Sequence, residues 1–218
     1  MDRTVKIGVI GATGKAGSRI AREAADRGHD VTAIVRDGSR VRDERLKVLE
    51  KNLFDLTAED LAPFDAVVNA FGAPPGQEHL HVEAGNVLIR ALKGAPRTRL
   101  IVVGGAGSLY VDDAMTTRML DTPDFPPAYL ETARCQAENL RILRETEGIA
   151  WTFVSPSAHF ELGARTGKYR TGKDRLLFNS AGESYVSCED CAVAIVDEIE
   201  RPRHLNERFT VVSERAGA

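Results

Sequence analysis

The run GVIGATGKAGS at residues 8–18 constrains the fold more than any other part of the chain. Three glycines, Gly11, Gly14 and Gly17, recur as G-x-x-G-x-x-G between an apolar stretch at 5–10 and an amphipathic one at 15–27, where Ile20, Ala21 and Ala24 share a side. A second apolar stretch follows at 31–35. Strand, glycine turn, helix and strand form the unit that aims backbone N–H groups and a helix N-terminus at an anion, as a nucleotide pyrophosphate requires. The Gly14-Lys15 pair also suggests an ATP-gripping loop, but that loop needs G-x-x-x-x-G-K-[ST] so that its last hydroxyl reaches Mg²⁺. Val9 stands five residues before Gly14 and Ala16 follows Lys15, so both defining positions fail.

The alternation continues down the chain. Apolar or β-branched runs at 46–49, 66–68, 100–103 and 151–154 are separated by helical patterns near 78–93 and 129–147, and a last helix at 188–200 precedes a terminal strand at 209–212. This order predicts an α/β, Rossmann-type doubly wound and mostly parallel sheet, covered on both faces. After Pro156 the composition turns rich in Gly and Arg, and residues 157–187 are expected to form a small C-terminal substrate lobe over the sheet edge. With no linker, repeat or low-complexity tract, residues 1–218 read as a single domain.

Composition narrows the partners. A chain of 218 residues with 43% hydrophobic content can fill a proper core. A net charge of −3 and a pI near 6.0 give no global pull toward nucleic acid or an anionic membrane, so a small-molecule substrate is expected. A monomer and a homodimer fit equally. No apolar run approaches the roughly 18 residues of a bilayer span, and the opening Met1-Asp2-Arg3-Thr4 lacks a signal-peptide layout, which predicts a cytoplasmic protein. Cys135, Cys188 and Cys191 are too few for a disulfide framework. The C-x-x-C formed by Cys188 and Cys191 has no second ligand pair, so no metal site is expected; Ser187 reads instead as the cap of the last helix.

The end of the second strand bears on the cofactor. About 20 residues beyond a dinucleotide loop, an acidic side chain takes the ribose 2′-hydroxyl of NAD, whereas Arg accommodates the 2′-phosphate of NADP. Here Arg36 is followed by Asp37, Gly38, Ser39 and Arg40. Two guanidiniums and a hydroxyl can surround a dianionic phosphate, which predicts NADPH; Asp37 keeps NADH possible, and an ordinary solvated basic loop is the alternative.

With GATGKAG, VRDGSR and WTFVSPSAHFELGARTGKYR in view, the chain resembles atypical short-chain dehydrogenases over nearly its full length, most closely the NmrA-like and NADH-flavin-reductase-like proteins. The resemblance implies that Thr13, Gly14, Lys15 and Ala16 meet the pyrophosphate and that Arg36, Ser39 and Arg40 meet the 2′-phosphate. It places Asn52 and Leu53 at the adenine, Ala70, Phe71 and Gly72 along the ribose and nicotinamide, and Ser155 and Pro156 over the nicotinamide. The family usually carries Asp where Asn52 stands, which alters the adenine contact.

Ligands of such folds lie beyond the carboxyl ends of the strands, which points to residues 71–75, 104–113 and 155–159 as the reaction site, with Gly104 among the cofactor contacts. A typical short-chain dehydrogenase supplies a proton through Tyr and a Lys four residues later. Tyr129 has Ala133 at that place and Tyr110 has Ala114, so the couple is absent. A flavin or quinone spreads the charge of an incoming hydride over a conjugated ring and has less need of a proton donor than a ketone. The expected activity is NADPH-dependent hydride transfer to FMN, another flavin, a quinone or a similar acceptor. Ser108 and Tyr129 are the candidate catalytic residues and His159 a possible substrate contact. Ser108 could equally shape its loop, and Tyr129 could simply start its helix. A non-catalytic redox sensor of NmrA type, or a biosynthetic reductase or epimerase, uses the same cofactor site.

Overall fold

The computed structural model describes residues 4–215. Met1, Asp2 and Arg3, on which the reading of the chain's start depends, lie outside them. In chain order the elements are β1 (Lys6–Ile10), α1 (Lys15–Asp26), β2 (Asp30–Val35), β3 (Lys47–Glu50), α2 (Ala58–Leu61), β4 (Ala66–Asn69), α3 (Leu80–Lys93), β5 (Arg99–Val103), α4 (Pro127–Arg144), β6 (Trp151–Pro156), β7 (His159–Glu161), β8 (Tyr169–Gly172), β9 (Tyr185–Ser187), α5 (Cys188–Glu200) and β10 (Glu207–Ser213).

One eight-stranded sheet runs in the order β3-β2-β1-β4-β5-β6-β10-β8, parallel throughout except where β8 meets β10. The strand order reverses between β1 and β4, which is where an open α/β sheet leaves a crevice for a ligand. Central strands are apolar on both sides because both faces are covered: β4 is buried along its whole length, and so is β6. On one face Ile20, Ala21 and Ala24 of α1 and Ile195 of α5 pack on Val9, Val154 and Phe209. On the other, Leu88 and Leu92 of α3 and Leu143 of α4 pack on Val67, Leu100 and Phe153. Among the described residues no helix is long and apolar enough to cross a membrane.

The lobe expected over 157–187 is built from pieces too short to show a period. β8 extends the main sheet, whereas β7 and β9 pair in parallel as a separate ribbon. The segment between them is fastened by the start of α5. Asp190, fully buried, accepts hydrogen bonds from the backbone N–H groups of Thr166 and Gly167, each at 2.8 Å, and from the Thr166 hydroxyl at 2.7 Å. Ser187 caps α5 by accepting from Asp190 N at 2.9 Å and donates its own proton to Ala164 O at 2.8 Å. Arg165 then reaches across to the nearly buried Glu23 of α1 at 2.6 Å. Cys188 and Cys191 are both buried free thiols, with Cys191 in the core.

Candidate dinucleotide site

β1 ends at Ile10, and Gly11 turns the chain with φ at +73°, where a side chain is strained. A Cβ on Gly11 would stand 2.6 Å from Ala70 O, and one on Gly17 would stand 2.2 Å from Gly11 O. Helix α1 therefore rests directly on the backbone of the loop. Gly14 N donates to Gly11 O at 2.9 Å, and Gly14 O accepts the first helical bond from Ser18 N at 3.1 Å. The N–H groups of Lys15, Ala16 and Gly17 are left without an acceptor among the described residues, and the first turn carries no acidic side chain. Free donors at the positive end of a twelve-residue helix make a seat for an anion. Gly14 and Lys15 are exposed there, and Thr13 is half-buried.

Arg36, Ser39 and Arg40 are all exposed at the end of β2. Asp37 accepts from Ser39 N at 3.0 Å and from Ser39 Oγ at 2.6 Å, bonds that hold its carboxyl below the usual range. The Ser39 hydroxyl is thus committed to Asp37. Arg36 and Arg40 form no close ion pair among the described residues and face the solvent, with the Asp37 carboxylate feeling the charge of Arg40. A cleft of about 970 Å³ starts at Ala12 and Thr13, passes Arg40 and continues to Arg42 and Arg45. Its lining also takes in Arg22, Glu23, Asp26 and Glu189 and includes none of residues 14–17, 70–72 or 155–156, so it runs along α1 and not over the strand ends.

At the other strand ends the placement differs from residue to residue. Asn52 is exposed, but its Oδ1 accepts from Phe54 N at 3.2 Å and caps a helical turn; Leu53 buries its side chain in the core. Ala70 N donates to Ile10 O at 3.1 Å, and Asn69 Oδ1 accepts from Phe71 N at 3.2 Å, which pins the turn after β4. Phe71 meets Phe54 and the buried His81 edge-on, with ring centroids 5.9 and 5.7 Å apart. Burial pushes the His81 imidazole pKa down. Gly72 is exposed with open space around it.

Gly104 is bare because Phe153 occupies the space: a Cβ there would lie 2.1 Å from the Phe153 ring. A Cβ on Gly105 would lie 2.4 Å from Gln136 Oε1. Gln136 was not singled out from the sequence, although it lies on the same face of α4 as Tyr129 and Ala133, at steps of four and three. Ala133 itself is buried against Gly107. Ser155 and Pro156 are both buried, and the Ser155 hydroxyl has no partner among the described residues.

The two candidate catalytic residues are placed apart. Ser108 Oγ accepts from Arg208 Nη1 at 2.8 Å. Arg208 pairs in register with Phe153, so its side chain lies on the α3 and α4 face of the sheet. Ser108 lines a cavity there with Tyr110, Arg144 and Arg208, and the lining includes neither Gly104 nor Tyr129. Tyr129 stands in the first turn of α4 with 66% of its surface exposed. His159 is exposed at the start of β7 and is held through its backbone N to Ser184 O at 2.8 Å.

Known proteins resemble the chain over nearly its whole length. The family model described as NAD(P)H-binding matches residues 11–202. The uncharacterised protein YwnB of Bacillus subtilis (strain 168) is 62% identical over 211 residues, which cover 96% of this chain and 99% of that protein. A structure from Streptococcus pneumoniae TIGR4, described as a candidate NADH-flavin reductase, superposes with a TM-score of 0.91 at 43% identity, covering 96% of this chain and all of that one. The NAD(P)H azoreductase of Xenophilus azovorans is 24% identical over 95% of this chain and 68% of its own length. A family model over most of the chain and full-length relatives at 62% and 43% identity thus agree, and the chain belongs to the NAD(P)H-binding, NADH-flavin-reductase-like (NmrA-like) family of oxidoreductases.

Proposed function

We propose that the protein binds NADPH and passes hydride to a flavin, a quinone or a similar conjugated acceptor. The observation that carries the reading is the combination of three acceptor-less amides, at Lys15, Ala16 and Gly17, with two exposed guanidiniums, Arg36 and Arg40, that make no close ion pair among the described residues. The amides and the helix dipole hold the pyrophosphate, and the two arginines hold the 2′-phosphate. Ala70, Phe71 and Gly72 line the ribose and nicotinamide side. When bound, the nicotinamide supplies a hydride.

The acceptor class follows from what the strand ends offer. Ala133 supplies no ammonium to Tyr129, and it is packed against Gly107. Ser108 accepts from Arg208 and so keeps its own proton to donate, while Tyr129 offers an exposed phenol. A ring that delocalises charge needs no stronger acid than these hydroxyls. The conjugated acceptors of the azoreductase relative fit the same class. Steady-state NADPH oxidation is expected with at least one of FMN, riboflavin, a benzoquinone or an azo dye; no oxidation with any of them overturns the reading. The missing Tyr-Lys couple, with Ala133 four residues after Tyr129, favours a second reading, a sensor that binds the nucleotide without turnover, for which calorimetry would show NADP⁺ and NADPH binding alongside an inert acceptor panel.

A further inference from the structure

Behind the Gly104 to Tyr110 segment lies a second cavity, of about 510 Å³, between α4 and the start of β10. Five arginines line it. Arg118 is paired with Asp121, Arg134 with Glu131, and Arg141 with Glu138 and Glu145. The remaining two, Arg144 and Arg208, share one carboxylate. Arg208 donates through Nε at 2.8 Å and Arg144 through Nη2 at 2.7 Å, both to Asp174 Oδ1.

That corner is one negative charge short. The Arg208 side chain is 1% exposed, so water cannot screen it, and burial together with the nearby Arg144 lowers its pKa. Arg144 leaves Nε and Nη1 without a partner among the described residues, on the wall of the cavity. Tyr110 and Ser108, both hydroxyl-bearing, also line the cavity. We infer that this cavity is a binding site for a small oxyanion, a phosphate or carboxylate group, held by Arg144 with Ser108 and Tyr110 and set apart from the dinucleotide loop. An oxyanion there supplies the missing charge and relieves the repulsion between the two guanidiniums.

The inference does not depend on which cofactor the loop takes. Inorganic phosphate and malonate are titrated separately into the wild type, Arg144→Gln, Arg144→Lys and Arg40→Gln. The readouts are the thermal midpoint and backbone hydrogen exchange across residues 105–118. In the wild type and in Arg40→Gln, at least one of the two anions raises the midpoint and slows exchange in that segment. In Arg144→Gln, about tenfold more anion is needed, the loss of one charge-assisted contact, while Arg144→Lys stays within about threefold of the wild type. Phosphate acting alone identifies a phosphate site, and malonate acting alone a carboxylate site. An unchanged half-saturation in Arg144→Gln, protection confined to residues 11–17, or no response to either anion overturns the inference.

Discussion

Replacing Gly17 by Ala tests whether the helix truly rests on the glycine loop. In an open helix the change would gain up to about 1 kcal/mol, because Ala is the better helix former. Here the new Cβ would stand 2.2 Å from Gly11 O, 2.7 Å from Gly11 C and 3.2 Å from Ala12 Cα. All three are backbone atoms, so no side chain can swing aside. Overpacking of this kind costs about 3 kcal/mol at the upper end of the usual range, which leaves a net loss of about 2 kcal/mol after the propensity gain. For a chain of this size that lowers the thermal midpoint by about 4–8 °C. To relieve the contact α1 must withdraw from the loop, so NADPH affinity falls with stability. Circular dichroism melts and nucleotide titrations on the same samples measure both. Gly72→Ala is the control, because nothing lies within 4 Å of its Cβ and its φ is ordinary; it should melt within about 0.5 kcal/mol of the wild type. A Gly17→Ala protein that is as stable as the wild type and binds nucleotide equally well would show that α1 does not rest on the loop.

Other consequences are equally open to measurement. Arg36→Gln and Arg40→Gln should each raise the KM for NADPH about tenfold and leave that for NADH within about twofold, as steady-state kinetics will report. Asp190→Ala strands two backbone donors beneath the 163–168 segment and should cost about 2–4 kcal/mol in urea unfolding, with Asp190→Asn less severe. The Glu23 carboxyl is held below its ordinary 4.5, first by the hydrogen bond from Arg165 and then by Arg27. A depressed folded pKa stabilises above 4.5 and loses that contribution as pH falls through the folded value, so acid unfolding should be steeper in the wild type than in Glu23→Gln. Burial pushes the Cys188 thiol up to about 11 and Cys191 higher still, so a thiol reagent at pH 8 should label neither until the protein is unfolded.

Much of this architecture is readable from residue patterns, and the exceptions have physical causes. The strands at 6–10, 30–35, 66–69, 99–103 and 151–156 are legible because a parallel sheet buried on both faces demands unbroken apolar runs. The glycine loop is legible because close backbone approach and positive φ leave few residue choices. β7, β8 and β9 are not, since runs of three or four residues are too short to show a period, and Tyr169–Gly172, mixed in exposure, is a strand only because β10 pairs with it. Ser108 shows the limit at the site. Its place after β5 suggests an orientation toward the reaction zone, but the partner that claims it, Arg208, lies 100 residues away in sequence. Gln136 is illegible for a related reason: its closeness to Gly105 depends on how α4 packs, which a helical period alone does not fix.

On the proposed function, the free amides of α1 and the exposed Arg36 and Arg40 form a site for a dinucleotide with a 2′-phosphate. The most direct test is an equilibrium titration of NADPH and NADH side by side, followed by nicotinamide fluorescence at low and high salt. Saturable binding of both is expected, with NADPH at least about tenfold tighter at low salt and the preference shrinking as salt screens the exposed arginines. Equal affinity for the two nucleotides at every ionic strength, or no binding of either, contradicts the account.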